Sequence, residues 1–217
     1  MIGSARDCHA TLVTPIATWI AEQDYHLLTG ARFGVMEQAC RDFQLARNKA
    51  GTTGQTIGIL PDSDTSNKWV EILIRTHLPA GNHAGNRYQN GRDPRSCNWL
   101  EVRSADVMVA LPGGVGTEAE INLAAAHGTP IVLYGWKSNP LPSLEIKAFV
   151  ELNTPESPMP AFLRLPTIAV AHTKQDVFDF IEAHLQARST PLLVSNSWPK
   201  RPTWPADADW PNPPPLP

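Results

Sequence analysis

Cysteine is scarce in this sequence: Cys8, Cys40 and Cys97 are the only three, they lie far apart, and their number is odd. No disulfide framework can be built from them, and none has the spacing of a metal-ligand pair. Such sparse cysteines suit a reducing compartment, and a cytoplasmic location is expected. The seven histidines are scattered, with no H-x-x-x-H pair among them, so no metal is expected. Long apolar runs are missing too: no stretch approaches the ~18 residues of a membrane span. The N-terminus carries no basic region followed by an apolar segment, so neither a signal peptide nor a membrane partner is expected. Neither sign of charge dominates, with 18 Lys and Arg against 21 Asp and Glu and a net charge of −3. That balance argues against a nucleic-acid partner.

What the chain does have is a regular alternation of apolar runs and helical patterns. Val107 to Leu111 reads as a short buried strand, Pro112-Gly113-Gly114 as a break, and a helix is expected from about Thr117, followed by a strand at Ile131–Tyr134. Three glycines at 113, 114 and 116 leave backbone N–H groups uncovered just ahead of a helix N-terminus. That is a natural anion site, and Glu120 sets a carboxylate beside it. The same residues also fit a capping box running from Thr117 to Glu120, in which Glu120 only caps its own helix.

Upstream, Met1 to Arg6 reads as the end of a strand, either truncated or with the true start further upstream, and Gly3 and Ser4 as its turn. Helices are expected over His9–Gln23, with Leu12, Ile16, Trp19 and Ile20 on one face, and from Gly34 to about Lys49. Strands are expected at His26–Gly30, Thr56–Leu60, Val70–Ile74 and Thr167–Val170. A long polar loop spans Leu78–Pro94. Further helices are expected at Arg95–Ser104, Leu144–Leu152 and Lys174–Ala187. Strands alternating with helices predict an α/β fold: a Rossmann-like, doubly wound parallel sheet with helices on both faces. Ligands of such sheets sit at the carboxyl ends of the strands. The turns after Gly3, Gly30 and Pro112 all belong there.

The division expected is a domain over 1–188 and an arm over 189–217. The arm holds nine of the 21 prolines, and Trp198, Trp204 and Trp210 recur every six residues, each followed by proline. Proline excludes a regular helix or a central strand. Tryptophan is rare in freely solvated chains, so the arm is expected to pack on its own domain or on a neighbouring subunit.

Pro112-Gly113-Gly114-Val115-Gly116-Thr117-Glu118-Ala119-Glu120 resembles the PGGxGTxxE signature of the Lonely Guy family within the wider SLOG superfamily, whose members are often mislabelled lysine decarboxylases. Leu28-Thr29-Gly30 with Gly34-Val35-Met36-Glu37 resembles that family's TGGGxGIME turn, with Ala31-Arg32 where two glycines are usual. The likeness covers about residues 1–187. It implies cleavage of the N-glycosidic bond of nucleoside 5′-monophosphates to free base and ribose 5-phosphate, through an oxocarbenium-like sugar. It implies Glu120 as the catalytic carboxylate. The family's arginine falls by spacing at Cys97, and Arg95, two residues earlier, is the substitute. It further implies ligand contacts from Gly3, Ser4, Gly30, Arg32, Gly34, Met36 and Glu37, and from Pro112, Gly113, Gly114, Val115, Gly116 and Thr117. The expected partner is a nucleotide or other phosphorylated small molecule, with a homo-oligomer, most simply a dimer, and no cofactor.

A second branch, the molybdenum-cofactor carrier proteins, is resembled by Leu60-Pro61-Asp62-Ser63-Asp64-Thr65-Ser66 and by Asn98. It implies a carrier that needs the phosphate site and no catalytic group. A lysine decarboxylase would need a cofactor lysine motif, and none is recognisable.

Overall fold

The computed structural model describes residues 1–79, 96–136 and 167–189. Its elements, in chain order, are α1 (Ala10–Glu22), β1 (Leu27–Thr29), α2 (Val35–Ala50), β2 (Thr56–Pro61), β3 (Ile72–Thr76), α3 (Cys97–Ser104), β4 (Met108–Ala110), α4 (Val115–His127), β5 (Ile131–Tyr134), β6 (Ile168–Ala171) and α5 (Lys174–Ser189). The expected helix over 144–152, residues 80–94 of the polar loop, Arg95 and residues 190–217 of the arm lie outside the described residues, while Ser189 ends α5.

The strands form two parallel triplets, β1–β2–β3 and β4–β5–β6. The segment Met1–Gly3 stitches them together. Ile2 bridges to Ala110, donating its N–H to Val109 O at 2.9 Å and accepting from Leu111 N–H at 3.0 Å. On its other side the Met1 nitrogen donates to Leu28 O at 2.6 Å. The order across the molecule is therefore β3-β2-β1-(Met1–Gly3)-β4-β5-β6, all parallel. The expected first strand is present only as this bridge.

Side chains alternate across the sheet with the period of two that a strand imposes. Val109, Leu111 and Val132 face α1, α2 and α5, joining Val13, Ile16, Phe43, Val177 and Phe180 in one core. Met108, Ala110, Ile131 and Leu133 face α3 and α4, joining Val102, Ile121 and Leu123 in a second. Complete burial of Phe43 is worth about 1.5–3 kcal/mol. On α1 the apolar stripe places Trp19 flat on Phe178 of α5, with ring centroids 4.6 Å apart.

Most element boundaries shift by a residue or two from the sequence reading, and two of the shifts have a hydrogen-bonding reason. The strand expected at Val70–Ile74 starts at Ile72 instead. Trp69 O and the Glu71 carboxylate are both tied to Thr56 Oγ1, at 2.7 and 3.1 Å, which holds the chain in a clasp ahead of the ladder. Helix α4 begins at Val115 with Gly114 as its N-cap. The capping-box alternative is thus not formed: Thr117 lies inside the first turn, and the acid of that turn is Glu118.

Candidate functional site

Three chain turns meet at the carboxyl rim of the strands: Gly3–Asp7, Gly30–Gly34 after β1 and Pro112–Gly116 after β4. Ser4 links all three. Its N–H donates to Pro112 O at 3.1 Å, and its carbonyl accepts from Val35 N–H at 2.9 Å. Its hydroxyl oxygen accepts from the N–H groups of Arg6 and Asp7, at 3.1 and 3.0 Å. Between the turns lies a cavity of about 990 Å³.

The Pro112–Gly116 turn is open to it. Gly113 and Gly114 are exposed, and a side chain at Gly114 would meet nothing within 4 Å. At Gly113 a Cβ would run into the Thr117 hydroxyl, so glycine is required for the turn to fold back on α4. The first bond of the helix runs from Glu118 N–H to Gly114 O at 3.0 Å. The N–H groups of Val115, Gly116 and Thr117 precede it and find no partner within their own helix. Val115 is 72% exposed, an apolar side chain standing at the cavity rim.

The Gly30–Gly34 turn is built differently. Ala31, where the resembled family has glycine, is fully buried at φ 58°, in the left-handed region. Its carbonyl accepts from Asn67 N–H at 2.8 Å and from Asn67 Nδ2 at 3.0 Å. Arg32 reaches the cavity, but its guanidinium is paired with Asp64.

Of the residues expected from the sequence, the cavity brings together Gly3, Ser4, Gly30, Arg32, Met36, Pro112, Gly113, Gly114, Val115, Gly116, Thr117 and Glu120. Gly34 and Glu37 line a neighbouring hollow of about 490 Å³ instead. Gly34 sits at φ 63° against the Ser4 carbonyl, which turns it away from the cavity.

Among the cavity residues that sequence reasoning missed are Arg6 and Glu101. Arg6 lines both hollows and forms no ion pair among the described residues. Glu101, on α3, lines the cavity and is 3% exposed. It lies in hydrogen-bonding contact with the carboxyl of Glu120. Burial pushes the Glu101 carboxyl up to about 7. Burial, and then the charge of Glu101, raises Glu120 well above the usual carboxylate range. Two carboxyls in contact, Glu101 buried and Glu120 half-buried, favour holding a proton between them. Cys97 lines the same wall as a thiol pushed up to about 12, first by burial and then by Glu101, so it is neutral there. Among the described residues no cluster of three or more His, Cys, Asp or Glu is arranged to hold a metal ion.

A family model described as the SLOG cluster4 family matches residues 1–158. The chain belongs to that family. An uncharacterized protein of Archaeoglobus fulgidus is 29% identical over 126 residues, covering 54% of this chain and 70% of that protein. Among solved structures, the molybdenum cofactor binding protein of the phototrophic bacterium Rippkaea orientalis is 26% identical with a TM-score of 0.54, over 82% of this chain and 88% of that one. The Moco carrier protein of Chlamydomonas reinhardtii is 27% identical with a TM-score of 0.57, over 85% of this chain and 93% of that one. The SLOG assignment agrees with the Rossmann-like parallel sheet and with a cavity suited to a phosphorylated small molecule. No helix among the described residues of this SLOG protein is long and apolar enough to cross a membrane.

Proposed function

We propose that this SLOG protein is a nucleoside 5′-monophosphate phosphoribohydrolase. One observation carries the reading: the Glu120 carboxyl stands in the same cavity as the uncovered N-terminus of the helix that bears it. Phosphate bound on the N–H groups of Val115, Gly116 and Thr117 would anchor the ribose. Five residues along the helix, about 7.5 Å of rise, bring Glu120 to the level of a sugar attached to that phosphate. As the C1′–N bond breaks, positive charge builds on the sugar, and a carboxylate beside it is worth most at that moment. Water adds to C1′ and gives up its proton to the ionised oxygen of the Glu101–Glu120 pair, while the departing base takes up a proton from solvent, to which the pair returns the one it gained. The products are free base and ribose 5-phosphate. Arg6, at the cavity wall and without an ion pair among the described residues, supports the reading by supplying a cation for the phosphate. Arg95, expected from the resemblance as the catalytic arginine, lies outside the described residues, and Cys97 and Asn98 line the cavity where the Lonely Guy family's arginine falls by spacing.

That last feature favours a second reading, a carrier for a phosphorylated ligand of the molybdenum-cofactor kind. The molybdenum-cofactor binding and carrier proteins among the relatives support it, and it needs no catalytic arginine. One experiment separates the two. The protein is incubated with a panel of nucleoside monophosphates, and free base is measured by chromatography. Release that falls at least 100-fold in kcat, with KM changed little, in Glu120→Gln establishes the hydrolase. No release from any member, together with a fluorescent pterin freed from the purified protein on denaturation and oxidation, establishes the carrier. We also propose a homodimer, the commonest soluble assembly. A dimer mass by light scattering at micromolar concentration is the expected result.

A further inference from the structure

The phosphate reading leaves Glu101 unexplained. A carboxyl that is 3% exposed loses most of its hydration, and such a group is retained only where something compensates it. Its Oε1 is buried and receives no hydrogen bond from any N–H or hydroxyl of the described residues. The charges of the Met1 ammonium and of Arg32 act on it and Glu120, itself an acid, lies in hydrogen-bonding contact with it, yet none of them gives Oε1 a hydrogen bond. Its Oε2 lies where a Cβ on Gly30 would come within 3.0 Å, so the glycine after β1 is what leaves room for it. The two carboxyls together offer more acceptor positions than one shared proton can fill, and both residues line the cavity. The ligand must bring donors.

The chemistry narrows which donors. A ligand cation would favour two ionised carboxylates, against the proton the pair retains. A hydroxyl donates to a carboxylate oxygen and also accepts from a protonated carboxyl, so it satisfies the pair in the state burial imposes. Two such groups side by side match two carboxyls side by side. At the depth set by the helical rise, the part of a phosphate-anchored ligand that meets them is the sugar.

We infer that Glu101, beside Glu120, binds the vicinal hydroxyls of a ribose 5-phosphate moiety and rejects its 2-deoxy counterpart. The inference rests on phosphate occupying the turn ahead of α4. Sites built to hydrogen-bond a hydroxyl discriminate strongly against the analogue lacking it, because their buried polar groups are left unpaired.

The test is calorimetric titration of the whole protein with ribose 5-phosphate, 2-deoxyribose 5-phosphate and inorganic phosphate. The expected result is a preference of at least tenfold for the ribose compound, falling below about threefold in Glu101→Gln. Equal affinity for the two sugars in the unaltered protein overturns the inference while the phosphate reading stands. A preference that persists in Glu101→Gln also overturns it. Binding of none of the three compounds brings down the phosphate reading and the inference with it. If Glu101→Gln fails to fold by circular dichroism, Glu101→Asp takes its place, and the comparison in the unaltered protein decides on its own.

Discussion

The two turns that flank the cavity do opposite things with the same raw material. The Pro112–Gly116 turn spends its glycines on exposure: Gly113 and Gly114 lie open, and the N–H groups behind them face the cavity without partners in their helix. The Gly30–Gly34 turn is turned inward. Ala31 is buried, its carbonyl is taken by Asn67, Arg32 is held by Asp64, and Gly34 is pressed against the Ser4 carbonyl. A glycine-rich turn is therefore not in itself a ligand turn. What decides is whether the protein has already used the turn's hydrogen bonds and charge.

The largest effect is expected on the closed turn. Gly34→Ala would set a Cβ against the Ser4 carbonyl at a positive φ, and is expected to destabilise the protein by about 2–3 kcal/mol. Urea unfolding measures it, and a loss under 1 kcal/mol would show that this turn is not rigidly held.

Next comes the floor between the turns. The folded pKa values of Glu101 and Glu120 lie above their unfolded values, so the folded protein holds their proton more tightly. Stability from this source is complete below the unfolded pKa of about 4.3 and declines as pH rises through about 7 for Glu101. Tm is expected to drop on the order of 5 °C between pH 5 and pH 8, and Glu101→Gln is expected to flatten the profile. An unchanged slope in that variant would place the titration elsewhere.

On the open turn the effect moves from stability to binding. Gly114→Ala meets no neighbour, and replacing the helix N-cap costs less than about 1 kcal/mol. The added methyl covers N–H donors, and phosphate affinity is expected to fall roughly tenfold, which is about 1.4 kcal/mol. Smallest of all is Ala31→Gly. Relief of the left-handed strain, worth about 1–2 kcal/mol, is offset by the greater freedom of glycine in the unfolded chain, leaving a gain below about 1 kcal/mol. A loss of stability on this substitution would mean that the methyl's packing outweighs the strain.

How these turns appear in the sequence follows the same division. The alternation of apolar runs with glycine and proline breaks made the parallel α/β sheet readable, because a buried strand needs little beyond a short apolar run. The open turn was readable from its glycines for the same reason. Glu101 was not. On an eight-residue helix it reads as a solvated acid, and only its spacing from Asn98 and its place next to Val102, both buried, hinted that it faces inward. Nor does sequence say which of two glycine turns is already occupied: the Asn67 contacts to Ala31 span 36 residues of chain. Helix α4 starts two residues ahead of the expected Thr117 because the glycine at 114 serves as its cap, a role that the spacing of Thr117 and Glu120 masks in the sequence.

The stitch at Ile2 gives the molecule a built-in reporter. The cavity's walls come from both strand triplets, which meet across the Met1–Gly3 segment, with Ile2 exchanging two hydrogen bonds with the β4 side. Separating the triplets would expose the amide hydrogens of Ile2 and Leu111 to deuterium. A molecule spanning both walls must leave before that separation occurs, so the free energy of this local opening grows with ligand concentration just as global stability does. The exchange clocks of two amides inside the sheet would thus read the occupancy of a cavity they do not line.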